Sequence, residues 1–184
     1  MSEINRYRRS GKKTLVFFHN FFIKILFFFL LRSIYVRLFN RSFVGKKVAI
    51  HNNVYFFDFT DFAIGNNSTL NSGCYIDNRN GVFIGKNVNI SHDCKIYSMG
   101  HDVLSENADL NGGPVFISDD VWIFPNCLIM PGVKIGKGAV VYPGSVVTRD
   151  VLDFTIVGGN PARPIRKRTV NIEYTLDNRI WFAK

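Results

Sequence analysis

The sequence predicts an all-β fold, a parallel β-helix built from hexapeptide repeats, with an α-helical segment at its N-terminus. Three observations carry this. Aliphatic residues recur every six positions through most of the chain. Small residues recur at a fixed offset from them. The first 47 residues differ sharply from the rest in charge and in phenylalanine content.

The chain has 184 residues, of which 47% are hydrophobic and 20% charged. That suits one folded domain with an appendage and excludes a disordered or collagenous chain. Three cysteines exclude a disulfide-stapled scaffold. The net charge of +9 is not spread evenly. Residues 1–47 hold eleven Lys and Arg against the single acid Glu3, and nine of the 18 phenylalanines. The body after residue 47 is close to neutral. With the body near neutral and no nucleic-acid motif in the chain, no nucleic-acid partner is expected.

The N-terminal segment, residues 1–44, reads as helical and membrane-associating. Residues 14–31 are mostly apolar and approach the length of a membrane span. His19, Asn20 and Lys24 interrupt the run, and basic residues flank it on both sides. An interfacial helix, with its apolar face in the acyl boundary and its cations on anionic headgroups, accommodates both features. The alternative is a helix packed on the protein itself.

Residues 45–168 carry the repeats. One series runs Ile64, Leu70, Ile76, Ile84, Ile90, Ile96, with two extra residues before Ile84. A second runs Ile117, Ile123, Ile129, Ile135, Val141, Val147. Glycine often follows the aliphatic, as at Gly65, Gly85 and Gly136. Four places after the aliphatic the residue is small or compact: Ser68, Cys74, Val88, Cys94, Val121, Cys127, Val133, Ala139, Ser145, Val151. A period of six is neither helical nor that of a simple strand. It describes a short strand plus a bend, three of which close a triangular coil of about 18 residues. The aliphatic and the small residue face the interior, so the three cysteines read as small buried hydrophobes.

The repeat breaks between Ile96 and Ile117, placing a loop at residues 97–116. It contains Gly100-His101-Asp102, Glu106, Asp109 and Asn111-Gly112-Gly113-Pro114. Loops on rigid scaffolds are where function concentrates. Of the four histidines, His19 and His51 read as structural and His92 as exposed on a coil, which leaves His101. Downstream, Gly158-Gly159-Asn160-Pro161 is a turn that ends the coil. Residues 169–184 form a C-terminal tail.

The ordered motifs resemble a known family. Ser98-Met99-Gly100-His101-Asp102, Pro114 to Ile123, Met130-Pro131-Gly132-Val133-Lys134-Ile135-Gly136, Gly144 to Asp150 and Gly158 to Arg163 follow one another as in the hexapeptide-repeat acyltransferases. The order is similar to maltose and galactoside O-acetyltransferases. It is also similar to acetyltransferases of capsule, exopolysaccharide and lipopolysaccharide synthesis, and xenobiotic acetyltransferases share much of it. The resemblance implies a left-handed β-helix, acetyl-CoA as co-substrate with no metal, and a sugar hydroxyl of a cell-surface polysaccharide or its lipid-linked precursor as acceptor. It implies His101 as general base. Trp122, Arg149, Arg163 and Arg166 are then the coenzyme contacts; an arginine fork suits phosphate oxygens. On the acceptor side it points to Asn71 or Asn78, of which Asn78 is taken together with Asp102. Asp102 is also a candidate for orienting His101, as is a carboxylate or carbonyl elsewhere. Relatives are homotrimers with coenzyme between subunits. Cytosolic acetyl-CoA places the enzyme in the cytoplasm, peripheral on the inner face of the membrane. One departure is Phe124-Pro125, where relatives carry glycine and a small residue beside the coenzyme arm. Two alternatives stay open: N-acetylation of an amino-sugar nucleotide, and a metal-dependent hydratase of the γ-carbonic anhydrase type.

Overall fold

The structure, a computed structural model, describes residues 15, 17–22, 29–39, 43–58 and 61–177. The remainder of the basic N-terminal stretch lies outside the described residues. Residues 15 and 17–22 are helical, and α1 spans Phe29–Phe39. Among the described residues no helix is long and apolar enough to cross a membrane.

From Val44 onward the chain winds through about five coils of short strands. The first coil comprises Val44, which bridges Ile64, then β1 (Ala49–Ile50) and β2 (Tyr55–Phe56). The second holds β3 (Phe62–Ile64), β4 (Thr69–Leu70) and β5 (Tyr75–Asp77). The third holds β6 (Val82–Ile84), β7 (Asn89–Ile90) and β8 (Lys95–Tyr97). An excursion through β9 (Met99–His101) and β10 (Leu110–Gly112) follows. The fourth coil is β11 (Val115–Ile117), β12 (Trp122–Ile123) and β13 (Leu128–Ile129). The fifth is β14 (Lys134–Ile135), β15 (Val140–Val141) and β16 (Val146–Val147). A hairpin of β17 (Thr155–Gly158) and β18 (Arg163–Lys167) closes the stack.

Equivalent strands of successive coils pair in parallel, giving the prism three faces: β3-β6-β11-β14, β1-β4-β7-β12-β15-β17-β18, and β2-β5-β8-β13-β16. The register stacks like on like. Ile64, Ile84, Ile117 and Ile135 form one interior column. Ile50, Leu70, Ile90, Ile123, Val141 and Val157 form a second, and Phe56, Ile76, Ile96, Ile129 and Val147 a third. Every member of these columns is buried, so truncating any one to alanine is a cavity mutation of about 2–5 kcal/mol.

The small interior positions are buried as expected, and they also bond between coils. The thiols of Cys74, Cys94 and Cys127 donate to the carbonyls of Ser91, Phe124 and Tyr142 in the following coil. The Ser68 hydroxyl donates to Gly85 O in the same manner. Burial pushes the Cys74 thiol up to about 12, which makes it inert. Corners are turned by left-handed residues: Asn67, Asn87, Asp120 and Gly138 have φ between 59° and 64° at equivalent corners of four successive coils. Asn, Asp and Gly tolerate that region best. The glycine after the aliphatic answers a different need. A Cβ on Gly65 would lie 2.6 Å from the Gly85 carbonyl carbon of the next coil.

The N-terminal helical residues cap the first coil. Val36 is fully buried in the core, and Tyr35 packs against it. The Asn20 side chain accepts from Phe56 N–H at 2.9 Å and donates to Phe56 O at 2.8 Å. It thereby does for the open edge of β2 what another strand would do. His19 is buried against Tyr35 and Phe56, with ring centroids 5.3 and 5.9 Å away. Neither of its ring nitrogens has a hydrogen-bond partner among the described residues, and burial lowers its pKa to about 4. The opposite face of the same segment exposes Phe17, Phe18, Phe21, Phe22, Leu31, Ile34 and Leu38. Both readings of this segment thus have a surface to rest on: one side packs on the coil and the other is open and apolar.

Candidate active site

The excursion after the third coil is an antiparallel hairpin. His101 pairs with Leu110, Gly100 with Asn111 and Met99 with Gly112. Its base is pinned to the coil: Ser98 N–H donates to Asp77 O, Gly113 N–H donates to Ser98 O, and the Asn80 amide also reaches Ser98 O. Beyond His101 the chain closes on itself through Asp102 N–H to Asp109 O at 2.8 Å.

Ser105 organises the tip. Its hydroxyl donates to Asp109 Oδ2 at 2.6 Å and accepts from the N–H groups of Asn107 and Asp109. This uses its one donor and both lone pairs. Ala108, held within that knot, sits at φ 50°, a rare conformation for a residue with a Cβ. Its carbonyl lies 2.8 Å from His101 Nδ1. A carbonyl oxygen only accepts, so Nδ1 carries a proton, and in the neutral imidazole the lone pair is then on Nε2. His101 itself is exposed.

The other expected site residues divide by place. The Asp102 carboxylate accepts from Leu104 N–H at 2.9 Å and shapes the loop, while the Ala108 carbonyl is what bonds His101. Asn78 is fully buried, and its Oδ1 accepts from Asp58 N–H of the neighbouring coil. Its side chain stitches coils together. Asn71 is half-buried and donates to Ile90 O and Asn89 Oδ1. Arg149 and Arg163 are exposed at the C-terminal end of the coil. Arg149 follows β16, and the turn before Arg163 is tied to β16 through Ala162 N–H to Val146 O. Trp122, half-buried, shares a cross-strand row with Val140, Ile156 and the exposed Arg166. Three strand spacings separate Trp122 from Arg166, roughly 14 Å. The described chain therefore gathers the cations at one end and keeps Trp122 in the fourth coil, three strands from Arg166.

Two contributors escape a reading of the sequence. One is the Ala108 carbonyl, since a backbone group has no residue-type signal. The other is Tyr174, whose hydroxyl accepts from Trp122 Nε1–H at 2.7 Å. Among the described residues no group of three or more His, Cys, Asp or Glu is placed to hold a metal ion.

This β-helix with a histidine-bearing hairpin has an architecture similar to that of hexapeptide-repeat acetyltransferases. Residues 114–149 match the family described as bacterial transferase hexapeptide (six repeats). Over 64 residues the chain is 50% identical to a chloramphenicol acetyltransferase of Klebsiella aerogenes, a match covering 35% of this chain and 30% of that protein. A hexapeptide-repeat-containing acetyltransferase of Vibrio cholerae, solved with acetyl coenzyme A, superposes with a TM-score of 0.80 at 26% identity, covering 88% of this chain and 89% of that one. A maltose O-acetyltransferase from Clostridium difficile 630 gives a TM-score of 0.75 at 29% identity, over 90% and 89%. The resemblance read from the motif order is thus borne out in sequence over the later coils and in fold over nearly the whole chain.

Proposed function

We propose that this protein is an acetyl-CoA-dependent O-acetyltransferase that modifies a sugar hydroxyl of a cell-surface polysaccharide or its lipid-linked precursor, with His101 as general base. The observation that carries the reading is the 2.8 Å bond from His101 Nδ1 to the Ala108 carbonyl. It fixes the tautomer in which Nε2 is the free base. The acceptor hydroxyl loses its proton to Nε2 as its oxygen bonds to the acetyl carbonyl carbon. The C–S bond then breaks, the acetyl group stays on the acceptor as an ester, and the imidazolium returns its proton to the departing CoA thiolate. Acetyl-CoA supplies the activated acyl group, and the exposed Arg149, Arg163 and Arg166 are suited to its phosphates. A sugar acceptor is favoured by the likeness to a maltose O-acetyltransferase.

The working unit in this reading is a trimer, with each hairpin reaching a neighbour. Val103 and Leu104 at the hairpin tip are 93% and 90% exposed, an apolar pair with nothing beneath it in one protomer. The N-terminal face of Phe17, Phe18, Phe21, Phe22, Leu31, Ile34 and Leu38, joined to a strongly basic stretch, suits the cytoplasmic surface of an anionic membrane.

The test is acetyl-CoA turnover against a panel of soluble and lipid-linked glycans, amino sugars and chloramphenicol, with the product bond identified by NMR. A sugar O-acetyl ester supports the reading. An amide product, or turnover on chloramphenicol alone, replaces it. In parallel, Phe17→Ser/Phe21→Ser/Phe22→Ser should lose co-sedimentation with anionic vesicles while the coil stays capped. Sedimentation equal to wild type removes the membrane from the account.

A further inference from the structure

The C-terminal tail is not a loose end. After β18 it turns back and runs along one edge of the prism, from the last coil toward the second. Arg168 N–H donates to Phe154 O at 2.7 Å, and its guanidinium Nη1 donates to the carbonyls of Gly138 and Asp120 at 2.9 and 3.1 Å. Farther along, Asn87 Nδ2 donates to Tyr174 O and Asn87 Oδ1 accepts from Leu176 N–H. Asn67 Nδ2 donates to Leu176 O. Asn67 and Asn87 are the left-handed corner residues of successive coils, so the same side chains that turn the coil also hold the tail. Ile172 and Leu176 are half-buried, Tyr174 between them is 37% exposed, and Asn171, Glu173, Thr175 and Asp177 are exposed.

This strap meets the candidate site at one point. The Tyr174 hydroxyl accepts from Trp122 Nε1–H at 2.7 Å and from Arg168 Nη2 at 2.6 Å. The Tyr174 ring stands edge-on to the indole, at 6.2 Å and 84°. On its other side the indole meets Phe124 at 6.2 Å, and Phe124 meets Tyr142 edge-on at 6.3 Å. An indole N–H has one donor and no acceptor. Anchoring that donor to a hydroxyl, itself fixed by an arginine clamped to two backbone carbonyls, leaves the ring one orientation.

We infer that Tyr174 is a positioning residue for coenzyme binding, and that the C-terminal strap sets the orientation of Trp122 that acetyl-CoA meets. The inference rests on the reading of Trp122 as a coenzyme contact. A side chain that must be ordered at binding costs affinity, and one ordered in advance does not. Tyr174 therefore acts on the affinity for acetyl-CoA and not on the chemical step.

The test uses full-length protein carrying Trp181→Phe, because the chain has two tryptophans, Trp122 and Trp181, and Trp122 then reports alone. Tyr174→Phe keeps the ring and removes the anchor. It should shift Trp122 emission and raise the KM for acetyl-CoA by about threefold to tenfold, with kcat within roughly twofold of the parent. A strap that served stability alone would lower the melting midpoint and leave KM where it was. Trp122→Phe, measured beside it, separates the two ways of failing. If Trp122→Phe raises KM and Tyr174→Phe does not, the positioning role is overturned and the coenzyme reading of Trp122 stands. If Trp122→Phe leaves KM unchanged, that reading fails and the inference falls with it.

Discussion

Replacing Asn20 with alanine removes a side chain that closes the β2 edge from the N-terminal segment through paired donor and acceptor bonds. The bonds to Phe56 N–H and O are 2.9 and 2.8 Å long. Each has a net worth of about 0.5–1.5 kcal/mol, and a stranded buried polar group costs about 1–3 kcal/mol. Asn20 is half-buried, so water reaches part of the gap. The expected loss is therefore about 2–3 kcal/mol, between the two limits. Because coils contact only their neighbours, the loss should fall on the first coil before the rest. Hydrogen exchange at Phe56 and neighbouring amides should accelerate by roughly 30- to 150-fold, at 1.4 kcal/mol per factor of ten. Amides of the fourth coil should be unaffected. Exchange at Phe56 equal to wild type would refute the capping argument.

His19 makes stability pH-dependent. Its pKa is lowered to about 4 in the fold and is near 6.5 when unfolded, so between those values the unfolded chain binds more protons. Stability should hold above pH 6.5 and fall as the pH drops toward 4, by at most about 2 kcal/mol between pH 7 and pH 5. Urea titrations should show that slope flattened in His19→Leu. Ser105→Ala unties the knot that aims the Ala108 carbonyl, and should lower kcat by roughly tenfold with the melting midpoint unchanged; an unaltered kcat would mean the loop tip does not set His101.

The repeat was legible because its period is a property of side-chain types alone. Each aliphatic from Ile64 to Val147 that the period selects lies in an interior column, and each small residue beside it is buried. The loop followed from the gap in the period, though not its pairing into a hairpin, and His101 was singled out by its place there and by the family motif around it. What escaped depends on groups or geometry with no residue signature. The partner of His101 is a carbonyl presented by a left-handed alanine; the sequence left Asp102 and a carboxylate or carbonyl elsewhere equally open, because a backbone group has no residue signature. The strap is held by Asn67 and Asn87, and their double role as corner and clamp exists only once the coils are stacked. Three alternating residues, Ile172, Tyr174 and Leu176, are too few to announce an extended segment. In the N-terminal run, His19 and Asn20 read as interruptions of an apolar surface. They interrupt it because that side faces the coil, where Asn20 substitutes for a strand.

The claim that His101 is the base of an acetyl transfer is tested most directly by His101→Ala, assayed for CoA release and acetylated product at saturating acetyl-CoA. The account predicts a fall in kcat of roughly 10²–10⁴ with the KM for acetyl-CoA and the circular dichroism of the β-helix preserved. A variant turning over within a few-fold of wild type would contradict it and move the proton transfer to another group.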